Sequence, residues 1–423
     1  MTLSNVRRNV LAALLGLRAT AAGAQEATSE WSGHAKARGL FDTFPDNSIF
    51  RQVVGDTATS GELDFRLKFT ARQGRWSVDA DYQAFVLVGD RIRLARELGL
   101  AQGPATIGVL DDSRRWFDLT HVGRERDDVS ILHRLDRLSL SYASTNTVVR
   151  VGRQALSWGG GLFFSPFDIV NPFDPAAVDT EYKTGDDMLY AQYLRPNGDD
   201  VQFAWVMRRD PLTSDIDSDE GTAAVKYHGI VGESEYDLLV ASNRDRATLG
   251  IGGNRSIGGA VLRADLVLAE ADSIEVEALI NLSYSWTWRG MNMNGAIEYY
   301  YNGWGIGDGN YGPAALAARP ELTERLARGE TFTLGRNYLG AGVTMELTPL
   351  LLVTPNLFAN LDDPSALLQV LAQYSLGDNL TFLGALNVSL GPDGSEFGGI
   401  DAGVPGQYLS RSAGVFAQLG WYF

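Results

Sequence analysis

Residues 61–72 alternate between charge and apolar bulk. Glu62, Asp64, Arg66, Lys68, Thr70 and Arg72 stand at every second position, and Leu63, Phe65, Leu67, Phe69 and Ala71 stand between them. A period of two puts the two sets on opposite faces of one strand. Acids and bases mixed on one face suit a water-filled lumen, where opposed charges set up a transverse field that orients polar solutes. They do not form a catalytic constellation. The four histidines, His34, His121, His133 and His228, are far apart in sequence, and none sits in a local Ser/Asp signature of a hydrolase. Asp215, Asp217 and Asp219 resemble the start of a calcium loop, but Glu220 stands where Gly is needed and Lys226 where the closing Glu belongs. The stretch reads as an acidic solvated loop. There is no Gly-rich phosphate loop. No catalytic residue, metal ligand or cofactor is assigned.

The same alternation recurs along the chain. Residues 75–88 set Trp76, Val78, Ala80, Tyr82, Ala84 and Val86 against Asp79, Asp81 and Gln83. In 274–288, Ile274, Val276, Ala278, Ile280, Leu282, Tyr284, Trp286 and Trp288 oppose Glu275, Glu277, Asn281, Ser283, Ser285 and Thr287. Ile280 and Asn281 are thus expected on opposite faces, with Arg tolerated at Asn281 and costly at Ile280. The candidate lumen residues are Asp64, Arg66, Lys68, Asp79, Asp81, Arg150, Gln154, Lys226, Arg263, Asp265, Glu277, Glu298, Arg336 and Glu346.

Eighteen strands are expected. They lie near 31–41, 61–72, 75–88, 129–143, 147–157, 187–195, 200–209, 221–230, 234–243, 246–253, 258–269, 274–288, 291–302, 334–347, 350–361, 365–376, 379–391 and 408–423. Short connections, such as Gln73-Gly74, 254–257 and Arg289-Gly290, contrast with long ones at 42–60, 89–128, 158–186, 210–220, 303–333 and 392–407. Short turns on one rim and long loops on the other are the outer-membrane arrangement. Lipid offers no partner to an open sheet edge, so the sheet must close. The fold class is therefore all-β, a transmembrane antiparallel up-and-down β-barrel of about eighteen strands, or sixteen on another reading of 246–269. Residues 90–101 and 320–328 read as helices within two long loops.

The chain has 423 residues, 47 Gly, no Cys and a net charge of −16. It offers no disulfide framework, and its acidity argues against nucleic acid as a partner. Acidic surface loops suit divalent cations that bridge them to anionic lipid heads. Residues 1–24 combine Arg7 and Arg8, a short apolar run and Ala22-Gly23-Ala24. That is the pattern of a secretory signal peptide, leaving 25–423 as one barrel domain.

Residues 408–423 alternate Val415, Ala417, Leu419, Trp421 and Phe423 against a smaller face. This segment resembles the C-terminal strand of Gram-negative outer-membrane barrels, and the resemblance implies that Trp421 and Phe423 form the assembly signal read by the barrel-insertion machinery. Gly152-Arg153-Gln154, Ser157-Trp158-Gly159 and Asn171-Pro172 resemble a group of uncharacterised porin-like proteobacterial barrels and, more distantly, alginate-export-type barrels. The function expected is passive passage of small polar or charged solutes through the cell outer membrane. The alternatives are a plugged or structural barrel whose loops bind lipopolysaccharide or a partner, and an outer-membrane hydrolase. Val149 and Val151 should face lipid, which would aim Arg153 there too, so a bulge near Gly152 is expected to turn it inward. Loop 158–186 is expected to fold inward and, with Arg150 and Gln154, to line the narrowest part of the pore, its acids facing Arg150 and Arg336.

Overall fold

The computed structural model describes residues 27–98, 112–126 and 128–423. The signal-peptide segment 1–24 lies outside them. The strands are β1 (Thr28–Thr43), β2 (Thr57–Gln73), β3 (Trp76–Gly89), β4 (Thr120–Glu125), β5 (Val129–Ala143), β6 (Thr147–Gln154) and β7 (Asp186–Leu194). There follow β8 (Asp200–Arg209), β9 (Ile216–Val231), β10 (Ser234–Asn243), β11 (Arg246–Ile257), β12 (Ala260–Glu270), β13 (Ile274–Trp288) and β14 (Met291–Asn302). The last are β15 (Asn337–Thr348), β16 (Leu351–Asn360), β17 (Ser365–Gly377), β18 (Leu380–Leu390), β19 (Ile400–Asp401), β20 (Tyr408–Leu409) and β21 (Ala413–Tyr422). Helices α1 (Arg51–Val54), α2 (Asp90–Glu97), α3 (Pro313–Ala317) and α4 (Pro320–Arg328) lie in the long loops.

Each barrel strand pairs antiparallel with its neighbours, and β1 pairs with both β2 and β21. This closes a barrel of eighteen strands, β1–β3, β5–β18 and β21, and settles the choice against sixteen. Strand β4 is extra. It pairs with the upper part of β5 and fills the wall above the short β6 and β7. The turn expected at 254–257 is at Gly258-Gly259, because β11 and β12 stay in register to Ile257 and Ala260. The acidic stretch 216–220 is the start of β9, not part of a loop; a register shift after Val206 lets Arg208 and Arg209 pair with Asp217 and Ile216. The final stretch divides into β20 and β21.

Burial is inverted relative to a water-soluble protein. Leu63, Phe65, Val225, Val240, Ile251, Ile280 and Leu419 are exposed, whereas His34, Asp64, Arg66, Arg134, Asn281 and Glu298 are buried. Only a lipid exterior makes this stable, since backbone groups are satisfied within the closed sheet and apolar side chains lose nothing by facing hydrocarbon. Trp31, Trp76, Tyr193, Trp288, Tyr374 and Trp421 form an exposed aromatic girdle near the short-turn rim. Ile280 is 49% exposed and Asn281 1%, so their faces are opposite. Asn281 is not free, however: it donates to Gly160 O and to Glu298. Arg there would break a lumen contact, contrary to the sequence expectation.

The inward loop as candidate functional site

Residues 155–185 join β6 to β7 and run through the lumen. The neck is set by β6. Gly152 has φ +117°, and a Cβ there would lie 2.2 Å from Leu138 O. Only Gly takes this conformation at no steric cost. This positive φ turns Arg153 inward, where it is 2% exposed; the bulge expected near Gly152 is absent, because β6 keeps register with β5 and β7 through Gly152 and Arg153. Arg153 donates to Asp187, Asp112 and Phe117 O. It thereby fastens the inserted segment that leads into β4. Gln154 donates to the Arg150, Gly152 and Met188 carbonyls. It is a brace of the neck and not part of a constriction. A buried Lys183–Asp168 ion pair closes the neck on the other side, and Lys183 also reaches Leu156 O.

From the neck the chain makes a lobe against one wall. Trp158 and Phe167 pack on Ala204, Ala224, Leu239 and Val267. Phe163 and Phe164 pack with Leu279, Tyr300, Tyr338 and Phe358. The turn between them is tight, for a Cβ on Gly161 would overlap Phe164 O. Glu298 holds this turn. Its carboxylate accepts the N–H groups of Leu162 at 2.7 Å, Phe163 at 3.1 Å and Phe164 at 2.7 Å, and Asn281 Nδ2 at 3.0 Å. Asp265 accepts Gly160 N–H at 3.1 Å. The lobe returns to β8, where Arg208 donates to Val170 O.

The chain then crosses. Ala176 O accepts Gln369 Nε2 of β17 at 2.8 Å. Strand β8 is seventh and β17 sixteenth around an eighteen-strand ring, so residues 171–176 join opposite walls. Beyond them Asp179 meets Lys36 at 2.7 Å and Arg38 at 2.9 Å. Glu181 meets Lys36 at 2.7 Å and accepts Tyr422 Oη at 2.8 Å. Tyr182 lies under the Arg66 guanidinium, 4.3 Å from its ring centre. Asp179 and Glu181 thus face Lys36 and Arg38, not the expected Arg150 and Arg336. Arg150 donates to Ser141, nearer the short-turn rim, and Arg336 donates to Gly305 O in an upper loop.

All the remaining lumen candidates point inward, at two levels. Asp64, Arg66, Lys226, Asp265, Glu277 and Glu298 are buried at or above the loop. Lys68, Asp79, Asp81, Arg263 and Glu346 are half-buried; Lys68 approaches Tyr182 Oη, and Glu346 accepts Asn292. Glu277 accepts Tyr300, Trp304 and Arg325 and so ties α4 to the wall. Sequence reading left out Lys36, Arg38, Arg134, Asp136 and Arg137. The signal was present: His34, Lys36 and Arg38 alternate in β1, and Arg134 and Asp136 in β5. A register shift opposite Asp81 and Tyr82 then brings Arg137 to the same side, where it binds Asp136.

No protein-family model matches the chain, and no curated protein does. Solved structures do. A BenF-like porin from Pseudomonas fluorescens Pf-5 aligns over 93% of this chain and 98% of its own, at 10% identity and a TM-score of 0.53. Acinetobacter baumannii OccAB4 aligns over 94% of this chain and 99% of its own, at 8% identity and the same TM-score. The chain has a porin fold. At these identities the likeness is one of fold alone.

Above the porin barrel's lumen the long loops form a cap. Phe44, Phe50, Ala58 and Leu94 make one cluster, and Ile306, Tyr311 and Leu322 another. In the cap, Glu396 accepts Leu334 N–H, Asn360 Nδ2 and Tyr338 Oη. Burial pushes its carboxyl up to about 7, with Asp363 adding to the rise and the donors opposing it.

Proposed function

We propose that the protein is an outer-membrane channel for small polar or charged solutes, with residues 155–185 as its constriction. The observation that carries this reading is the strap that crosses from Val170 to Ala176, whose two end carbonyls are hydrogen-bonded to opposite walls of a barrel whose inner face is polar. A barrel of this strand number is wide enough for water, so a loop across it sets the bore. In this reading Lys68, Asp79, Asp81, Arg150, Arg263 and Glu346 line the vestibule on the short-turn side, and Lys36, Arg38 and Arg66 flank the narrow level. Wall charges at a constriction tune which ions pass. One observation favours a plugged barrel instead: Lys36 and Arg66 are each 2% exposed, so the loop packs closely on that wall.

Planar-bilayer recording separates the two. Asn171 Nδ2 lies 3.5 Å from Thr184 O, so the two limbs of the strap adjoin and residues 173–182 can be excised with a short join. The channel reading expects open-channel steps from the intact protein and larger steps from the excised one. Silence from the intact protein, with steps only after excision, would establish the plug.

A further inference from the structure

Among the described residues, the lipid-facing wall carries a basic patch at the upper end of β4 and β5. Paired residues of antiparallel strands share a face. Leu132 packs inward with Phe85 and Leu87, so its neighbours Ile131 and His133 face outward. His121 pairs with His133, and Arg124 with Ile131. Both therefore face outward as well, whereas Glu125 pairs with Ser130 on the inner side. The His121 and His133 ring centres are 5.2 Å apart, and Tyr82 packs tilted against His133 at 5.7 Å. Among the described residues, none of these three basic side chains has a carboxylate partner.

Height gives the patch its meaning. Tyr142 packs on Trp76 of the lower girdle at 5.0 Å, and His133 is nine residues above Tyr142 on β5. One of the nine is the extra residue of the register shift at Asp136, since Tyr142 pairs with Trp76 and His133 with Ala84. At ~3.3 Å per residue and a strand tilt of ~40° the rise is about 20 Å, within the ~25 Å of a barrel's apolar band. His133 therefore stands just inside the upper edge of the band and Arg124, level with Ile131, at the edge. A cation on the lipid face is costly at the midplane and nearly free at the edge. At the height of Ile131 the two neighbouring strands β3 and β2 carry Val86 and Leu63, which are apolar.

We propose that His121, Arg124 and His133 bind a phosphate group of the lipid in the outer leaflet, with the lipid's acyl chains lying against Tyr82 and the apolar wall below. A planar guanidinium suits bidentate phosphate contact, and imidazole N–H groups add donors beside it. Free phosphate would need no apolar wall and no particular height, so the lipid is the source the placement favours. The inference rests on the outer-membrane placement in the proposed function, not on conduction, and a barrel silent in bilayers would leave it standing.

The test uses the folded protein in detergent, titrated with bisphosphorylated lipid A and followed by native mass spectrometry. The wild type should retain lipid A through detergent exchange and should lose dephosphorylated lipid A. The triple variant His121→Gln, Arg124→Gln, His133→Gln should bind lipid A at least tenfold more weakly, with wild-type conductance. If the triple variant does not fold, Arg124→Gln alone and the two-lipid comparison on the wild type decide the matter. Equal retention of the two lipids, or equal retention by wild type and variant, overturns the proposal. Displacement of the lipid by millimolar inorganic phosphate would overturn the lipid assignment.

Discussion

Residues 156–170 and 171–185 leave the same neck, closed by Lys183 and Asp168, yet they are held to the barrel by different forces. The first half buries Trp158, Phe164 and Phe167 against the β8–β15 wall and fixes its turn on Glu298. The second half leaves Phe173 exposed and reaches β1 and β2 through Asp179, Glu181 and Tyr182. Apolar packing and buried hydrogen bonds do not depend on ionic strength. Ion pairs do, and those of Asp179 are screened in part, because Asp179 and Arg38 keep 16% and 15% of their side chains open while Lys36 is buried. One loop thus combines a fixed insert with a strap whose grip varies with the solution.

The largest effect should come from removing Glu298. Glu298→Ala leaves the buried N–H of Phe164 and the part-buried N–H groups of Leu162 and Phe163 without this acceptor, and a fully buried unsatisfied group costs about 1–3 kcal/mol. The first half should come away from the wall. The expected outcome is new protease cleavage within 158–170 in the inserted barrel and a changed unitary conductance, while heat-modifiability persists. A variant that resists protease and conducts normally would show that aromatic burial alone fixes this half, and the contrast with the strap would then be one of packing only.

The barrel was legible in the sequence because lipid makes its rules local. Every membrane-crossing strand must alternate, so Leu63 against Asp64 and Ile280 against Asn281 declared their faces without any knowledge of their neighbours. The inward course of the loop was legible from Gly159–Gly161 and the phenylalanines that follow. Its partners were not. Asp179 lies 143 residues from Lys36, and nothing local says which of many inward cations an acid will meet after crossing the lumen. The inward turn of Arg153 could be inferred, since its alternative was a guanidinium in lipid. Its anchorage of the segment leading into β4 could not, because a wall panel supplied by a distant loop leaves only a weak trace in 112–125.

A third kind of hold lies above the strap, in the cap, and its pH dependence has a definite sign. The Glu396 carboxyl is raised from 4.5 to about 7 by burial. A raised acid contributes stability that is fully present below its unfolded value and is lost as pH climbs through the folded one. The cap should therefore be tightest near pH 4.5 and loosen up to pH 7, by at most about 3 kcal/mol at 1.36 kcal/mol per pH unit. Glu396→Gln should abolish this slope and leave the cap more protected at pH 8 than the wild type. Hydrogen-exchange protection of residues 391–412 against pH reads it directly. A wild-type profile flat from pH 4.5 to 7 would mean that water reaches Glu396.

The smallest effect should come from the strap itself. Asp179 receives Lys36 and Arg38, and Glu181 shares Lys36. Asp179→Asn keeps the size and a hydrogen-bonding oxygen and removes the charge. It should cost about 1 kcal/mol, below the ~3–5 kcal/mol of a buried charge left unpaired, because Lys36 keeps Glu181 and Arg38 keeps Glu62 and Asp64. That is enough to shift a two-state strap several-fold without unfolding the barrel. Salt supplies the sharper reading. Raising ionic strength from about 0.1 M to 1 M shortens the screening length from ~10 Å to ~3 Å. In the wild type, residues 171–185 should become more open to protease over that range, while 156–170 stays as it was. In Asp179→Asn the second half should already be looser in low salt and should respond less to added salt. If both halves respond alike, the ion pairs are not what holds the strap to β1, and Tyr182 stacked beneath Arg66 becomes the residue to remove.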